Sequence, residues 1–378
     1  MANIFVFSYL IFIFGIDKFG QFSIALIYTQ ISIIIIEWGY QTHATEKLKK
    51  SRESLFNYFI QTTLIKVVFV IFFILIIFFL INYDVINVSK SHFFSISLII
   101  FFGSMNPLWY LNLYKKTYIL LFPNTVSKII YLAIVLLFFK SETDYHYIYY
   151  LISFNFFFNA IFGYWYIFKN YWSEFSLSQI KIIKPILNSY SYFLASIINH
   201  NITSLWGVYV SIFCSNSSIG LFVFCEQIYR GMCLITNLVT NSLRIEFIDK
   251  NLSFFKKYLS QFIVISILTS IVLIIFIICL IYFLKLDFIY LYIGILFSSS
   301  WIMFSVSKIV SIPVLGTTID MKKINFYTLN YGLLNILLIA ISLLLQISNI
   351  LYIVLFITLA SLLECIYYLK KMYFLNVK

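Results

Sequence analysis

The sequence has few charged residues for its length. Of its 378 residues, 11% are Asp, Glu, Lys or Arg, whereas 62% are hydrophobic and 21% are aromatic. Soluble domains of ordinary composition carry about 25% charged residues, so the composition excludes a soluble globular protein. At about 30 residues for each membrane crossing with its connection, the chain has room for about twelve transmembrane helices and little else.

Cysteine and long polar segments are scarce as well. The five cysteines lie in or beside apolar blocks, none forms a C-x-x-C pair, and their total is odd. We therefore expect no disulfide, no metal site and no cofactor. No loop between the apolar blocks exceeds about twenty residues, which predicts that no domain folds outside the membrane and that the protein works inside it.

Twelve apolar blocks, separated by charged or polar breaks, predict the transmembrane helices. They lie near residues 3–15, 19–39, 60–82, 92–111, 118–139, 147–168, 190–212, 217–243, 260–284, 287–312, 325–346 and 349–369. The first block is shorter than the roughly 20 residues that cross a bilayer, and it has neither the basic leader nor the cleavage site of a signal peptide. We expect a shortened first helix, or a start codon placed downstream of the true one.

Basic residues alternate along the loops between these blocks. Eighteen Lys and Arg follow the even-numbered spans, whereas four follow the odd-numbered ones. Because cytoplasmic loops are enriched in Lys and Arg, this division predicts that both termini lie in the cytoplasm. The net charge of +12 is therefore interpreted as an orientation signal and as a contact for anionic lipid, and not as a nucleic-acid site.

The chain is predicted to be an all-α polytopic membrane protein with two six-helix bundles around a central cavity. Shifting the sequence by 200 residues aligns the second span with the eighth, for example Gly20 with Gly220. Since the shift equals six spans, the halves would share one topology about an axis along the membrane normal, as in secondary transporters. The predicted domains are an N-terminal bundle, a cytoplasmic linker and a C-terminal bundle at residues 1–168, 169–189 and 190–378.

Two basic residues lie at a depth in the membrane where a charge is energetically unfavourable. Lys128 and Arg230 are near the centres of their spans, more than about 15 Å from either end at 1.5 Å per residue. A charge at that depth costs about 2.5–3.5 kcal/mol on insertion scales. We expect both side chains to face a protein interior or a watery cavity. Lys66 lies nearer the end of its span, where snorkelling and a functional role both stay open.

The eighth span carries a polar stripe. Glu226, Arg230, Asn237 and Asn241 fall within about 60° of one another on a helical wheel, over about 22 Å of helix. Glu226 and Arg230 also have the i,i+4 spacing of an ion pair. Either this is a structural pair at a helix interface, or the helix lines a cavity for a polar cargo; the length of the stripe favours the cavity. A weaker stripe along the second span consists of Ser23, Gln30, Glu37 and Gln41.

Three segments resemble the Wzx-type O-antigen flippases. Residues 15–46 are similar to the first part of these proteins, which has a short loop ending in Phe-Gly, a span, an acidic residue before Gly, and an Ala-Thr step. The corresponding residues here are Phe19, Gly20, Glu37, Gly39, Ala44 and Thr45. Residues 107–128 resemble its Pro-x-Trp stretch with basic residues, and residues 219–230 its Gly-x-Phe, Glu and Ile-Tyr-Arg stretch. The likeness runs nearly end to end. It departs from the family in the short first span without prolines and in Glu46, where a basic residue is common.

The resemblance implies a member of the multidrug/oligosaccharidyl-lipid/polysaccharide exporter superfamily in the bacterial inner membrane. Such proteins move undecaprenyl-pyrophosphate-linked oligosaccharide units to the periplasmic leaflet by alternating access, coupled to an ion gradient. The expected partners are this lipid-linked oligosaccharide and membrane lipid, with a polysaccharide polymerase and a chain-length regulator as candidate protein partners and no nucleic acid.

The candidate site residues follow from the anionic, sugar-bearing cargo. Its head group needs a hydrated path with positive charge, and polar amide side chains on that path could contact the sugar. The predicted substrate path consists of Lys128, Arg230, Asn237, Asn241, Lys66 and Asn124. Glu37 and Glu226 are the candidates for ion coupling, since a carboxylate near a cation can exchange a proton or bind Na⁺.

Two rival functions stay open. An O-antigen polymerase or related membrane glycosyltransferase needs catalytic residues on a sizeable periplasmic loop, and these short loops offer no paired carboxylates with a basic cluster. A drug or ion exporter of the same superfamily would have a more apolar or acidic cavity without central cations. The sequence therefore favours a transporter over an enzyme.

Overall fold

The structure is a computed structural model, and it describes most of the chain. The described residues are 2–44, 55–86, 88–114, 116–141, 144–176, 183–200, 202–247, 289–310 and 321–376, with scattered positions between 261 and 282. All regular elements within these ranges are helical. The prediction of an all-helical polytopic membrane protein is confirmed.

Thirteen α-helices are assigned within the described residues. They are α1 (Ala2–Glu37), α2 (Tyr40–His43), α3 (Leu55–Asn82), α4 (Phe93–Ser104), α5 (Leu108–Leu113), α6 (Tyr118–Phe138), α7 (Tyr145–Tyr171), α8 (Ile183–His200), α9 (Ile202–Phe213), α10 (Asn216–Phe247), α11 (Ile289–Ile309), α12 (Met321–Leu344) and α13 (Ile350–Asn376). Seven helical segments of the described chain are long and apolar enough to cross a membrane. The predicted total of twelve spans stays a prediction.

Helix α1 consists of two helical segments joined at Gly15. The backbone there, with φ 76° and ψ 163°, is not helical. The rings of Phe7 and Phe19 lie 5.3 Å apart between centroids, although twelve residues of straight helix would separate them by about 18 Å. The chain therefore bends sharply at Gly15, the last residue of the first predicted apolar block.

A residue with a Cβ atom cannot adopt the Gly15 conformation without strain. This combination of φ and ψ is essentially restricted to glycine, and strained backbone of this kind costs about 1–3 kcal/mol. A Cβ built on Gly15 meets no atom within 4 Å, so backbone strain accounts for the whole effect. We expect Gly15→Ala to lower the free energy of unfolding by about 1–3 kcal/mol, measured by denaturant unfolding of the protein in detergent.

Gly207→Ala is the matched control for this substitution. Gly207 lies within α9, and a Cβ there would make ordinary contacts with Ile27 at 3.4 Å. This variant should be at least as stable as the wild type, because alanine is the better helix former. An equally stable Gly15→Ala variant would show that α1 does not bend at this residue.

Contacts divide the chain into two compact units, an N-terminal unit of residues 4–211 and a C-terminal unit of residues 212–378. In the N-terminal unit α4 packs on α3 and α7, α7 packs on α6, and α8 packs on α2 and α3. In the C-terminal unit α11 contacts α10 and α13, and α12 packs on α13. Helix α8, predicted to begin the C-terminal bundle, thus packs within the N-terminal unit. The predicted domain boundaries describe two repeated halves of the sequence, whereas the two units are defined by packing contacts. The predicted boundaries therefore stay a prediction.

An aromatic cluster fills the core of the N-terminal unit where α3, α5 and α7 meet. The ring of Phe59 lies 4.8 Å from Tyr110, 5.3 Å from Tyr164 and 5.8 Å from Trp109 between centroids. Such tilted aromatic pairs contribute about 0.5–1.5 kcal/mol beyond the area that they bury. Trp109 and Ala44, which come from two of the segments that resemble the flippases, are both buried in this cluster.

Candidate functional site

A tight turn at the end of α1 places a carboxylate beside α3. Helix α1 ends at Glu37 and α2 begins at Tyr40. The two residues between them, Trp38 with φ 44° and Gly39 with φ 68°, are left-handed. Left-handed residues end helices because they turn the chain away from the helical path. Glu37 is therefore fixed at the last position of α1.

Lys66 of α3 ties three helices together. Its Nζ donates to Oε1 of Glu37 and to the carbonyl oxygen of Ser104, each at 3.1 Å. Ser104 is the last residue of α4, where helix carbonyls have no intrahelical partner and a cation is favourable. The Lys66 side chain is 4% exposed and that of Glu37 is 31% exposed. We call Glu37, Lys66 and Ser104 the three-helix clamp; in it Lys66 is buried and paired instead of snorkelling.

The turn that ends α1 is docked on α8. The indole ring of Trp38 stacks on Phe193 with 3.8 Å between centroids and 16° between planes. Its N–H donates to the carbonyl oxygen of Ile186 at 3.2 Å. A Cβ on Gly39 would come within 2.7 Å of backbone atoms of Tyr192 and Phe193. The glycine of the flippase-like segment thus combines a left-handed conformation with a close approach of two backbones.

A buried chain of hydrogen bonds continues from this turn to α8. Nδ1 of His43 in α2 lies 2.9 Å from the Tyr58 hydroxyl in α3, which lies 3.1 Å from the Ser189 hydroxyl in α8. All three side chains are buried, and buried polar groups are costly unless they are hydrogen-bonded. The sequence does not predict this series of hydrogen bonds, because its successive partners are 15 and 131 residues apart.

Glu226 and Arg230 form an ion pair on α10 in the C-terminal unit. Nη2 and Nε of Arg230 donate to Oε1 of Glu226 at 2.7 and 3.1 Å. The Glu226 side chain is 3% exposed, whereas that of Arg230 is 30% exposed, so the guanidinium reaches the protein surface. The i,i+4 pair predicted from the spacing is confirmed. The side chains of Asn237 and Asn241, which continue the predicted stripe, lie outside the described residues.

Further ionisable groups gather near this pair. Cys233, one turn further along α10, interacts electrostatically with Arg230, Lys308 and Glu364. Glu364 on α13 is buried, and in the part of the chain that the structure describes its Oε2 has no hydrogen-bond partner. Among the described residues of the C-terminal unit, two buried carboxylates and two cations therefore lie near residues 226–233 of α10.

Lys128 is exposed on α6. Phe122 and Ile129, on the same helix, are also exposed. Of the two settings predicted for Lys128, a protein interior and a watery cavity, the exposure excludes the interior. The watery cavity predicted for Lys128 stays a prediction, since the exposed residues beside it on α6 are apolar. Asn124, predicted to share the path, is half-buried.

A polar seam between α6 and α7 lies beside Lys128 and is not predicted from the sequence. The Ser127 hydroxyl is 2.6 Å from Oδ1 of Asn155 and 3.1 Å from the carbonyl oxygen of Asn124. Nδ2 of Asn159 donates to the carbonyl oxygen of Asn155 at 2.8 Å. The signal that could have identified the seam is the i,i+4 repeat of asparagines in an apolar span.

The helices and their apolar lengths define a multi-pass membrane protein. Its fold is similar to that of a solved structure described as the inward-facing conformation of a multidrug resistance MATE family transporter of the MOP superfamily, with a TM-score of 0.68 and 12% sequence identity over 100% of this chain and 96% of that chain. At this identity the likeness shows the fold alone. Residues 1–206 match the family described as polysaccharide biosynthesis protein. The chain belongs to this family, since the match covers more than half of its residues. No curated protein matches the sequence.

Proposed function

We propose that the protein moves undecaprenyl-pyrophosphate-linked O-antigen oligosaccharide units from the cytoplasmic to the periplasmic leaflet of the bacterial inner membrane. Transport by alternating access, coupled to an ion gradient, is part of the proposal, as are cytoplasmic termini. The family and the fold support membrane transport in polysaccharide biosynthesis. The O-antigen cargo is proposed from the flippase-like segments at residues 15–46, 107–128 and 219–230.

The observation that carries this proposal is the exposure of Lys128 in the middle of a membrane helix. A cation at this depth is favourable where it meets water and a passing negative charge. The cargo's diphosphate provides that charge. Arg230 adds a second, partly exposed cation in the C-terminal unit, with Glu226 offsetting part of its charge. A path for an anionic head group explains why both cations are tolerated.

Glu37 and Glu226 are proposed as the coupling groups. Each contacts a cation in its own unit, Lys66 in one and Arg230 in the other. A carboxylate that releases its cation can bind a proton or Na⁺ instead, and this exchange would link movement of the cargo to an ion gradient.

Removing both central cations tests the proposal. We expect the double substitution Lys128→Ala with Arg230→Ala to reduce O-antigen display by at least about tenfold, since each hydrogen bond to a charged group contributes about 1.5–3 kcal/mol. The measurement is lipopolysaccharide laddering in a strain deleted for the native gene, at matched protein levels. Lipid-linked single repeats should accumulate on the cytoplasmic leaflet.

Lys140→Ala is the matched control, because it removes one positive charge just after α6 ends at Phe138. This variant should display O-antigen normally, and Lys128→Arg with Arg230→Lys should restore part of the display. Normal laddering in the double alanine variant would overturn the cationic path. Accumulation of single repeats on the periplasmic leaflet would instead identify a polymerase.

A further inference from the structure

The N-terminal unit contains a cavity of about 480 Å³ that includes none of the predicted path residues. It lies between the middle of α1, the start of α7 and residues 84–86 and 88–92 of the connection from α3 to α4. Its volume falls within the roughly 300–1,000 Å³ that is typical of small-ligand sites. The cavity is therefore large enough to hold a specific small ligand.

The floor of the cavity is an aromatic surface held in place from behind. Tyr149 and His92 are buried, with 4.9 Å between ring centroids. Nε2 of His92 lies 3.3 Å from the Tyr145 hydroxyl and 3.0 Å from Nδ1 of His146. Phe22 supports Tyr149 at 5.0 Å between centroids. Because these contacts fix the rings, the floor presents a preformed apolar face to a ligand.

The turn that begins α7 also fixes Tyr145, whose ring borders the cavity. Asp144 precedes it, and its Oδ2 accepts hydrogen bonds from the N–H groups of Ser141 at 3.0 Å and Lys140 at 3.1 Å and from the Ser141 hydroxyl at 3.0 Å. These bonds lower the pKa of the Asp144 carboxyl below its ordinary value. An ionised carboxylate at the start of a helix is favourable, so the beginning of α7 is well anchored.

The rim of the cavity is polar and electrically balanced. Gln21, Asp84, Ser89 and Lys90 contribute an amide, a carboxylate, a hydroxyl and an ammonium group, and all four residues are exposed. Asp84 has a left-handed backbone with φ 53°, in a turn closed by a hydrogen bond from its N–H to the carbonyl oxygen of Ile81 at 3.3 Å. The rim thus presents both donors and acceptors with no net charge.

We propose that this cavity binds a sugar residue. A pyranose has an apolar C–H face and a ring of hydroxyl groups, which match the aromatic floor and the donors and acceptors of the rim. An inorganic or lipid diphosphate would need a site with net positive charge, whereas the charges of Asp84 and Lys90 cancel each other. A phospholipid head group would need an apolar groove for its tails next to the polar groups, and the lining of the cavity is more polar than apolar.

The identity of the sugar rests on the proposed function. The connection that carries Asp84 and Lys90 follows the third predicted span, and the charge of the loops places such connections on the periplasmic side. The sugar is then one from the repeat unit after it has crossed the membrane. The cavity is an exit site, separate from the cationic path that meets the diphosphate.

Binding of a sugar without its lipid diphosphate tests this site. The probe is the oligosaccharide released by mild acid from the host's own lipid-linked repeat unit, observed by saturation-transfer NMR on the full-length protein in nanodiscs. We expect binding to the wild type and an about tenfold weaker affinity in Gln21→Ala with Asp84→Asn, because the Gln21 amide is lost and the bonds to residue 84 lose the charge that makes such a bond contribute about 1.5–3 kcal/mol. Asparagine is chosen because it tolerates a left-handed backbone.

Tyr83→Ala is the matched control. Tyr83 is 75% exposed in the same connection and does not line the cavity, so this variant should bind the oligosaccharide as the wild type does. No binding to the wild type, or unchanged binding in the double variant, overturns the site. Binding of glycerophosphoethanolamine or inorganic pyrophosphate in place of the oligosaccharide overturns the ligand class.

The two proposals fail in different ways. The Lys128→Ala, Arg230→Ala variant keeps the cavity intact and should bind the oligosaccharide normally while it loses O-antigen display. Normal display in that variant counts against the cationic path alone. Loss of oligosaccharide binding only in the cavity variant counts in favour of the exit site, whatever the result for the path.

Discussion

Replacing Gly39 with alanine is expected to lower the free energy of unfolding by about 2–5 kcal/mol, because two costs add at this position. A left-handed backbone costs a residue with a Cβ about 1–2 kcal/mol, and overpacking costs about 1–3 kcal/mol. The second cost arises because the added atom would lie 2.7 Å from backbone atoms of Tyr192 and Phe193, which cannot turn aside as a side chain can.

The measurement is denaturant unfolding in detergent, together with O-antigen display at matched protein levels. Gly207→Ala serves again as the control, because its Cβ has room in a helical backbone. A stable and active Gly39→Ala variant would show that α8 does not pack against the turn at the end of α1. The stacking of Trp38 on Phe193 would then be wrong as well.

Lys66→Ala is expected to destabilise the protein by about 3 kcal/mol and to abolish O-antigen display. Removing one partner of a buried ion pair costs about 3–5 kcal/mol, and the partial exposure of Glu37 places the effect at the lower end. Two acceptors lose their donor at once, namely the Glu37 carboxylate and the carbonyl oxygen of Ser104. Denaturant unfolding in detergent and lipopolysaccharide laddering measure the two effects.

A double-mutant cycle distinguishes the ion pair from the bond to Ser104. Glu37→Gln leaves Lys66 its contact with the carbonyl oxygen and should cost less than Lys66→Met. Combining the two removes both charges, and the result should be more stable than the sum of the single changes predicts, since neither charge is left unpaired. Strict additivity would show that Glu37 and Lys66 do not interact, which contradicts the three-helix clamp.

The parts of the fold that depend on local sequence could be predicted. Long apolar runs identify helices that cross a membrane, because a helix satisfies its backbone hydrogen bonds within the segment and so needs no water in the hydrocarbon. The break at Gly15 falls where the first apolar block ends. The pair of Glu226 and Arg230 was predictable because both residues lie on one helix, where a spacing of four residues fixes their proximity.

The rest of the site depends on which helices meet, and periodicity does not contain that information. Glu37 and Lys66 are 29 residues apart on separate helices, and the Ser104 carbonyl that completes their clamp is a backbone atom without any side-chain signal. The hydroxyl groups of Tyr58 and Ser189 form a hydrogen bond although the two residues are 131 positions apart in the sequence. The cavity near Asp84 likewise forms from three distant segments, each of which looks ordinary when taken alone.

The sharing of one ammonium group by α1, α3 and α4 also limits how the N-terminal unit can move. For α3 to slide past α4, Lys66 would first have to leave the carbonyl oxygen of Ser104, and its side chain is only 4% exposed. Relative motion of α3 and α4 is therefore steeply uphill, so these two helices are expected to move as a pair when Glu37 of α1 exchanges Lys66 for a proton or Na⁺.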